Sequence, residues 1–203
     1  MTTKTDIANM ALSHLGIGKL IGDIDTEISA EANVMRVFFE MCAKSIQSEM
    51  EFNFNKRRKK LGLVIEDPND EYKYCYTYPS ECLQLRRIVN LGRNENEDQR
   101  WPFKVEDNDA GSGKFIFTDK QNAIGLISVY VDDPTKWDAT FALACSYKLA
   151  HLCAPRIGGP DGIKMGDRSY QLYVKMRDQS AAHSANEYQP DPMPNTGYMN
   201  SRE

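Results

Sequence analysis

The stretch that decides the fold is SAEANVMRVFFEMCAKSIQSEMEFNFNKRRKK, residues 29–60. Apolar residues, Val37 and Met41 among them, cover most of the circumference of a helix over residues 29–51. So broad an apolar surface predicts a helix at the centre of the core. The polar side chains fall in a stripe about 80° wide, formed by Arg36, Glu40, Lys44, Gln47 and Glu51. Opposite charges four residues apart stabilise a solvated helix face, so we expect this stripe to face solvent.

A shorter helix precedes this stretch. Thr5 can cap a helix over residues 6–15, and Gly16 can end it. The loop that follows, residues 16–27, carries four aliphatic side chains that we expect to pack back onto the core: Ile17, Leu20, Ile21 and Ile24. Either Thr26 or Ser29 can then cap the central helix.

After the basic run at residues 56–60 the period of the pattern changes to that of strands. Tyr74, Tyr76 and Tyr78 alternate with other residues, which places the three rings on one face. Polar and glycine-rich segments separate the strand-like runs, and these are residues 61–65, 73–78, 84–90, 114–118 and 125–131. The middle of the chain is therefore predicted to form a small antiparallel sheet or a sandwich.

The helical period returns at residue 135 and continues to Pro155, which is expected to end the helix. Its alanines allow another helix to approach closely, and the helix over residues 29–51 is the expected partner. A last helix is predicted from Gly162 or Asp167 to Ala185. These patterns predict an α+β fold. Its parts are a four-helix bundle from residues 1–60 and 135–185, an inserted β domain at 61–134 and an extended C-terminal tail at 186–203.

Composition limits the classes of function. The chain has 203 residues, 41% of them hydrophobic, which is enough for a sizeable core. A formal net charge of -4 argues against coating of nucleic acid over the whole surface. The sequence has no apolar run of membrane-spanning length and no signal-peptide layout, so we expect a soluble protein made in a cytoplasm, with no membrane partner. The five cysteines are expected to be reduced, buried thiols without disulfides.

Residues that could carry chemistry do not form a recognisable site. The spacing of His151 and Cys153 is too short for two zinc ligands on one helix, and no local signature supports a Cys153–His14 nucleophile pair. The third histidine, His183, also lies on a predicted helix. We therefore expect no enzyme activity, no cofactor and no metal.

Two further motifs have ordinary structural interpretations. The segment Gly111-Ser112-Gly113-Lys114 departs from a phosphate-binding loop and is predicted to be a hairpin turn. The acidic cluster of Asp132, Asp133 and Asp138 is expected to cap a helix, through Asp133 or the nearby Thr135, and not to form a catalytic carboxylate pair.

The basic run at residues 56–60 leaves two interpretations open. It can be a solvated entry into the following strand, just after a helix end, where cations also complement the helix dipole. Alternatively, Lys56, Arg57 and Arg58 can contact phosphates or an acidic face of another subunit, since five adjacent like charges suggest an external anion.

Several segments resemble the head-to-tail adaptor proteins of tailed phages, the head-completion, tail tubular protein A or gatekeeper type. The first is IANMALSHLG at residues 7–16, and the second is EFNF at 51–54 followed by basic residues and Leu61. The others are YPSECL at 78–83 and KWDATF at 136–141 with Leu149 and Ala150. The resemblance extends over most of the chain, to about residue 185.

The resemblance implies a helical bundle with a β insertion and a structural role in the virion neck. Copies of the chain would form a ring, in this family usually twelvefold, beneath the portal protein and above a tail protein. Double-stranded DNA would pass through the channel without sequence-specific binding, and the ring would be assembled in the host cytoplasm.

We expect the contacts with neighbouring subunits or the portal to come from two regions. One is the charged surface of Arg36, Glu40, Lys44, Lys56, Arg57 and Arg58; the other is the tail, with Tyr188, Met193 and Tyr198 as anchors. The alternatives are a DNA-binding or packaging accessory protein that uses residues 56–60, and an enzyme such as a virion-borne cell-wall hydrolase.

Overall fold

The computed structural model describes residues 2–66, 68, 71–89, 101–107 and 113–187, and within them the chain has the predicted α+β fold. The helices are α1 (Lys4–His14), α2 (Ala30–Glu49), α3 (Ala139–Ile157) and α4 (Gly162–Asn186). The strands are β1 (Lys56–Lys60), β2 (Leu63–Glu66), β3 (Tyr74–Thr77), β4 (Cys82–Val89), β5 (Phe103–Asp107), β6 (Lys114–Thr118) and β7 (Ile124–Val129). Short 3-10 helices span Asn53–Asn55 and Pro134–Lys136.

Helix α1 begins two residues earlier than predicted. Its cap is Thr3, whose hydroxyl accepts a hydrogen bond from the Asp6 backbone, while the Asp6 carboxylate accepts one from the Thr3 backbone. The hydroxyl of Thr5, the predicted cap, instead accepts a hydrogen bond from the Ile24 backbone. Gly16 has a φ of 72°, so it ends the helix as predicted because glycine adopts this conformation without strain.

Helix α2 begins as predicted and ends earlier. The Ser29 hydroxyl accepts a hydrogen bond from Ala32 N at 3.2 Å, which confirms Ser29 as the cap. The helix ends at Glu49 and not at residue 51. At this end Arg86 of β4 donates to the backbone oxygens of Ser48 and Met50. A cation from another part of the chain thus satisfies carbonyl groups that the helix leaves unpaired.

The helix at the centre of the bundle is α3, which is contacted by α1, α2 and α4. The predicted packing of α2 against α3 is confirmed, for example by the Cys42 thiol, which lies 3.8 Å from the Cys145 carbonyl oxygen. Phe52 and Phe54 extend the same core, because both rings pack edge-on against Phe141 of α3. The long helix α2 is therefore a side of the bundle, and it joins α3 to the sheets.

The most extensive helix contact is the hairpin of α3 and α4. A Cβ added at Gly166 would lie 2.7 Å from the Ala154 Cβ, which is closer than carbon atoms approach without strain. The prediction that Pro155 ends α3 is wrong, because the helix continues to Ile157. In the last turn the missing proline N–H removes a single helical hydrogen bond, so the helix tolerates it there.

The strands form two antiparallel sheets. One has three strands in the order β1-β7-β4, and the other has four in the order β2-β3-β6-β5. All five predicted strand segments contain strands, but β1 and β5 were not predicted. The sequence pattern of β1 shows only charge, and its strand conformation comes from pairing with β7, where Arg58 lies opposite Leu126.

A second core cluster takes buried residues from both sheets, including Tyr76 and Ile116 from one and Leu85 and Ile127 from the other. Tyr74 and Tyr78 pack against this cluster beside Tyr76, which confirms the predicted tyrosine face. In the loop after α1, Ile21 and Ile24 are buried as predicted. Leu20 of the same loop is 63% exposed, so its predicted core position was wrong.

The five cysteines are free thiols, four of them buried and Cys82 half-buried. None of the described helices is long and apolar enough to cross a membrane. Residues 111 and 112 of the predicted hairpin turn lie outside the described residues, although the antiparallel strands β5 and β6 pair on either side of that segment, with Asp107 opposite Lys114.

Candidate interaction surfaces

The solvent-facing side of α2 differs from the predicted stripe. Gln47 is fully buried and hydrogen-bonds Val131, so its assignment to the solvated stripe was wrong. Val37 and Met41, predicted to be apolar core positions, are 72% and 54% exposed. The packed face of α2 meets α3 and the three-stranded sheet. The exposed face therefore includes Val37 and Met41, and it is rotated around the helix axis relative to the predicted stripe. We call the surface of Val37, Glu40, Met41 and Lys44 the α2 face.

The α2 face borders a shallow groove of about 550 Å³, whose floor also includes Ser45, Ser48 and Leu83. Lys44 forms an ion pair with Glu40 at 2.5 Å, and its ammonium lies 4.9 Å from the centre of the Tyr130 ring. An apolar strip beside a pair of opposite charges is the composition expected of a protein contact surface.

Arg36 already has an internal role. Its guanidinium donates to the backbone oxygens of Ile24 at 2.9 Å and Glu27 at 2.8 Å, and to the Asn33 side chain at 3.0 Å. These contacts hold the loop before α2 against the helix. The proposed interface role of Arg36 stays a prediction, and a substitution there would disturb this loop as well.

The basic run forms strand β1, an edge strand of the three-stranded sheet. Lys56 pairs with Glu51 at 2.8 Å, and Lys59 pairs with Glu81. The Arg57 guanidinium donates to the backbone oxygens of Phe54 and Lys56, and Arg58 is exposed. Part of the basic charge is thus neutralised within the chain, and lysines on an edge strand also discourage unwanted pairing with other strands.

Strand β2 exposes an apolar surface that the sequence did not predict. Leu63, Val64 and Ile65 are 51%, 47% and 52% exposed, although all three are aliphatic and consecutive. The strand pairs with β3 on one side and forms an edge of the four-stranded sheet on the other. Sequence reasoning found the strand but missed its exposure, because an uninterrupted apolar run is typical of a buried strand. We call these three residues the β2 edge.

A polar cluster joins three helices at the C-terminal end of α2. The Glu49 carboxylate accepts hydrogen bonds from Lys148 at 2.5 Å, from Arg177 at 2.9 Å and from the Tyr173 hydroxyl. Burial alone would raise the pKa of Glu49, but the three donors lower it to about 2. The pKa of Tyr173 is raised by burial and by the neighbouring carboxylate. Glu49 is thus held ionised and fully paired, which suits a structural clamp better than a general base.

The histidines and cysteines singled out in the sequence do not form a nucleophile pair. The His14 ring nitrogen lies 3.1 Å from the Ser146 hydroxyl, and the ring stacks on Tyr147. Burial lowers the pKa of His14 and raises the pKa of Cys153 to about 12, so the thiol stays protonated at neutral pH. His151 instead bonds the Gly166 carbonyl across the α3–α4 contact. No group of three or more potential metal ligands occurs among the described residues.

The acidic cluster caps a helix as predicted. Asp133 accepts hydrogen bonds from the backbone and hydroxyl of Thr135, at the start of the 3-10 helix. Asp132 pairs with Lys4 at 2.8 Å and accepts a hydrogen bond from Tyr130. The three predicted tail anchors, Tyr188, Met193 and Tyr198, lie outside the described residues.

In comparisons with known proteins, no family model matches this chain, and no curated protein matches it either.

Proposed function

We propose that the chain is a structural head-to-tail adaptor of a tailed phage. Many copies would form a ring beneath the portal, join the capsid vertex to the tail and surround the DNA channel. The portal protein would bind one side of the ring and a tail protein the other. In this role the chain acts through contacts with other proteins and needs no cofactor.

The observation that carries the proposal is the β2 edge. Three adjacent aliphatic side chains stand about half exposed on a sheet edge, where a monomer gains nothing from them. Covering apolar surface is worth about 25 cal/mol per Å². The α2 face offers a second apolar surface with Val37 and Met41. A subunit that contacts more than one neighbour needs at least two such surfaces.

The segments that carry the family resemblance support the proposal in a second way. In residues 7–16, Ile7, Ala8, Ala11 and Leu12 are fully buried in the helical core. In the later segments, Phe52 and Trp137 both pack against Phe141. Several residues that carry the resemblance therefore belong to the core of the bundle.

The test is assembly with the portal protein of the same phage. The two proteins are co-expressed and purified through a tag on the portal, and the particles are imaged by negative stain. We expect an additional ring at one end of the portal, absent from portal purified alone. Portal particles without added density, at chain concentrations well above that of the portal, would contradict the proposal.

The tail is proposed as part of the portal or neighbour contact. Residues 186–203 contain three prolines and few aliphatic side chains, a composition that cannot form a core by itself. Alanine at Tyr188, Met193 and Tyr198 together should weaken binding to the portal while leaving the unfolding transition of the isolated chain unchanged. In limited proteolysis, protection of the tail in dilute monomer would count against this role.

The alternative function, DNA binding through β1, has one favourable observation, because four of its five basic residues are exposed. The ion pairs of Lys56 and Lys59 reduce the charge available to phosphate. The salt dependence of DNA binding distinguishes the two functions. DNA affinity that falls steeply between low and physiological salt, and that is lost when residues 56–60 are replaced by serine, would favour the alternative.

A further inference from the structure

The four-stranded sheet has two different outer edges. Its order is β2-β3-β6-β5, so β2 forms one edge and β5 the other. Within the part of the chain that the structure describes, no strand forms a ladder with the outer side of either, although Trp101, two residues before β5, forms an isolated bridge with Ile88 of β4. Lys104, Val105, Glu106 and Asp107 of β5 are exposed, as are all four residues of β2. Unpaired backbone groups on an exposed edge are a template for a further strand.

The strand directions determine which edges can meet. Every pair in this sheet is antiparallel, and the sheet has four strands, so β2 and β5 run in opposite directions. When a second copy is placed beside the first in the same orientation, β5 of one copy therefore lies antiparallel to β2 of the next. The contact continues the hydrogen-bonding pattern of the sheet and joins two different surfaces, which is the geometry that produces rings or filaments.

The charges select the same direction. Lys59 and Lys60 lie just before β2, and Glu66 ends it. On β5 the order is the same, with Lys104 near the beginning and Glu106 and Asp107 at the end. Antiparallel pairing brings each acidic end to a basic end, whereas parallel pairing would bring like charges together, which is unfavourable. Strand direction and charge are independent properties of the chain, and both favour antiparallel pairing of β5 with β2.

We propose that β5 of one copy pairs antiparallel with β2 of a second copy, so that the four-stranded sheet continues from subunit to subunit and covers the β2 edge. The register that places Glu66 opposite Lys104 also places Ile65 opposite Val105. Lys104 is now paired with Glu106 at 2.7 Å and lies 3.6 Å from Glu71. These ion pairs are on the surface, so their rearrangement costs little. This inference rests on the proposed function, because it names the contact through which copies of the adaptor would join.

The first experiment is a charge reversal in the full chain, with self-association followed by sedimentation velocity over a range of concentrations. Glu66→Lys places two lysines opposite each other and should weaken association roughly fivefold, and adding Lys104→Glu should restore it. Asp161→Lys with Lys164→Glu is the matched control, since this exposed pair lies at the start of α4, away from the sheet. Single and double variants that associate like the unchanged protein would overturn the inference.

The second experiment fixes the direction and the partner edge. Ile65→Cys and Val105→Cys are made in separate chains, which are then mixed under mild oxidation. The inference predicts a disulfide-linked heterodimer in the mixture and little linkage in either variant alone. Linkage of Ile65→Cys with itself would indicate a two-fold β2–β2 contact and would overturn the inference, as would a mixture that stays unlinked.

The two proposals can fail separately. If the charge-reversed chain still forms a ring on the portal and the cysteines do not link, the edge contact is wrong and the adaptor function stands. If the unchanged chain links through residues 65 and 105 but never binds the portal, the edge contact stands and the adaptor function is wrong.

Discussion

The side chain of Gln47 pairs with the backbone of Val131 as a neighbouring strand would. Its amide nitrogen donates to the Val131 carbonyl at 3.0 Å, and its amide oxygen accepts from the Val131 N–H at 2.8 Å. Asn9 makes the same two contacts with Ile21, at 2.9 and 2.8 Å. In both cases a helix residue satisfies a backbone segment that has left regular structure, so that the segment can lie against the bundle.

Replacing Gln47 should destabilise the protein. Gln47→Ala leaves the Val131 N–H without its partner, while the Val131 carbonyl keeps only its hydrogen bond from the Trp137 indole. The unpaired donor costs about 1–3 kcal/mol of unfolding free energy. Gln47→Glu should also destabilise it, because a carboxylate cannot donate to the carbonyl. Urea titration followed by circular dichroism measures both. Glu40→Ala on the exposed face is the control, and a Gln47→Ala variant as stable as that control would contradict the prediction.

Substitutions of Arg36 and Lys44 should distinguish an effect on folding from an effect on assembly. Arg36→Ala removes donors from the Ile24 and Glu27 carbonyls and should lower the unfolding free energy by about 1 kcal/mol. Lys44→Ala removes an exposed ion pair, worth about 0.2–1 kcal/mol, and the contact of the ammonium with the Tyr130 ring. If the α2 face contacts a neighbour, Lys44→Ala should nevertheless reduce binding to the portal assembly. Equal stability losses for the two variants would show that the Arg36 contacts contribute little.

The Glu49 cluster should make stability depend on acid pH. The pKa of Glu49 is about 2 in the folded chain, below its ordinary value of 4.5, so the unfolded chain binds the proton more readily. The stabilisation is therefore complete above about pH 4.5 and is lost as the pH falls toward 2. Glu49→Gln should be less stable than the unchanged protein at pH 6, and the difference should shrink at pH 3. A difference that stays constant between these values would contradict the prediction.

The contact between Gly166 and Ala154 should not tolerate a larger side chain. Gly166→Ala introduces a methyl group where only 2.7 Å separates it from the Ala154 Cβ, and it should cost about 1–3 kcal/mol despite the better helix propensity of alanine. Ala154→Gly in the same chain frees the space and should recover part of that loss. Thermal unfolding of the two single variants and the double variant measures the coupling, and strictly additive effects would show that the residues do not interact.

The helices were predictable because their signals are local. Ser29 is a cap by its side chain alone, and the apolar periodicity continues over several turns. Strands β1 and β5 were missed because their residues are mostly charged and exposed, and only their partners make them strands. For β1 the partner is β7, more than 60 residues later in the chain, which pattern reasoning could not have supplied.

The surfaces were harder to predict than the fold. The position of Gln47 on a helical wheel predicted that it faces solvent. It is buried instead, because the Val131 backbone forms hydrogen bonds with both polar groups of its side chain. Val37 and Met41 were assigned to the core by hydropathy, and the β2 edge looks like a buried strand for the same reason. Exposed apolar residues contradict the rule on which such predictions rest, and this contradiction is itself a sign of a contact surface.

The Arg86 contact with the end of α2 sets an order for folding. The carbonyl oxygens of Ser48 and Met50 receive their partner from a residue 38 and 36 positions later in the sequence. During synthesis, the Ser48 and Met50 carbonyls therefore leave the ribosome before Arg86 does, and they acquire this partner only when β4 has emerged and paired. We expect the last turn of α2 to gain protection from hydrogen exchange together with β4, later than the rest of the helix.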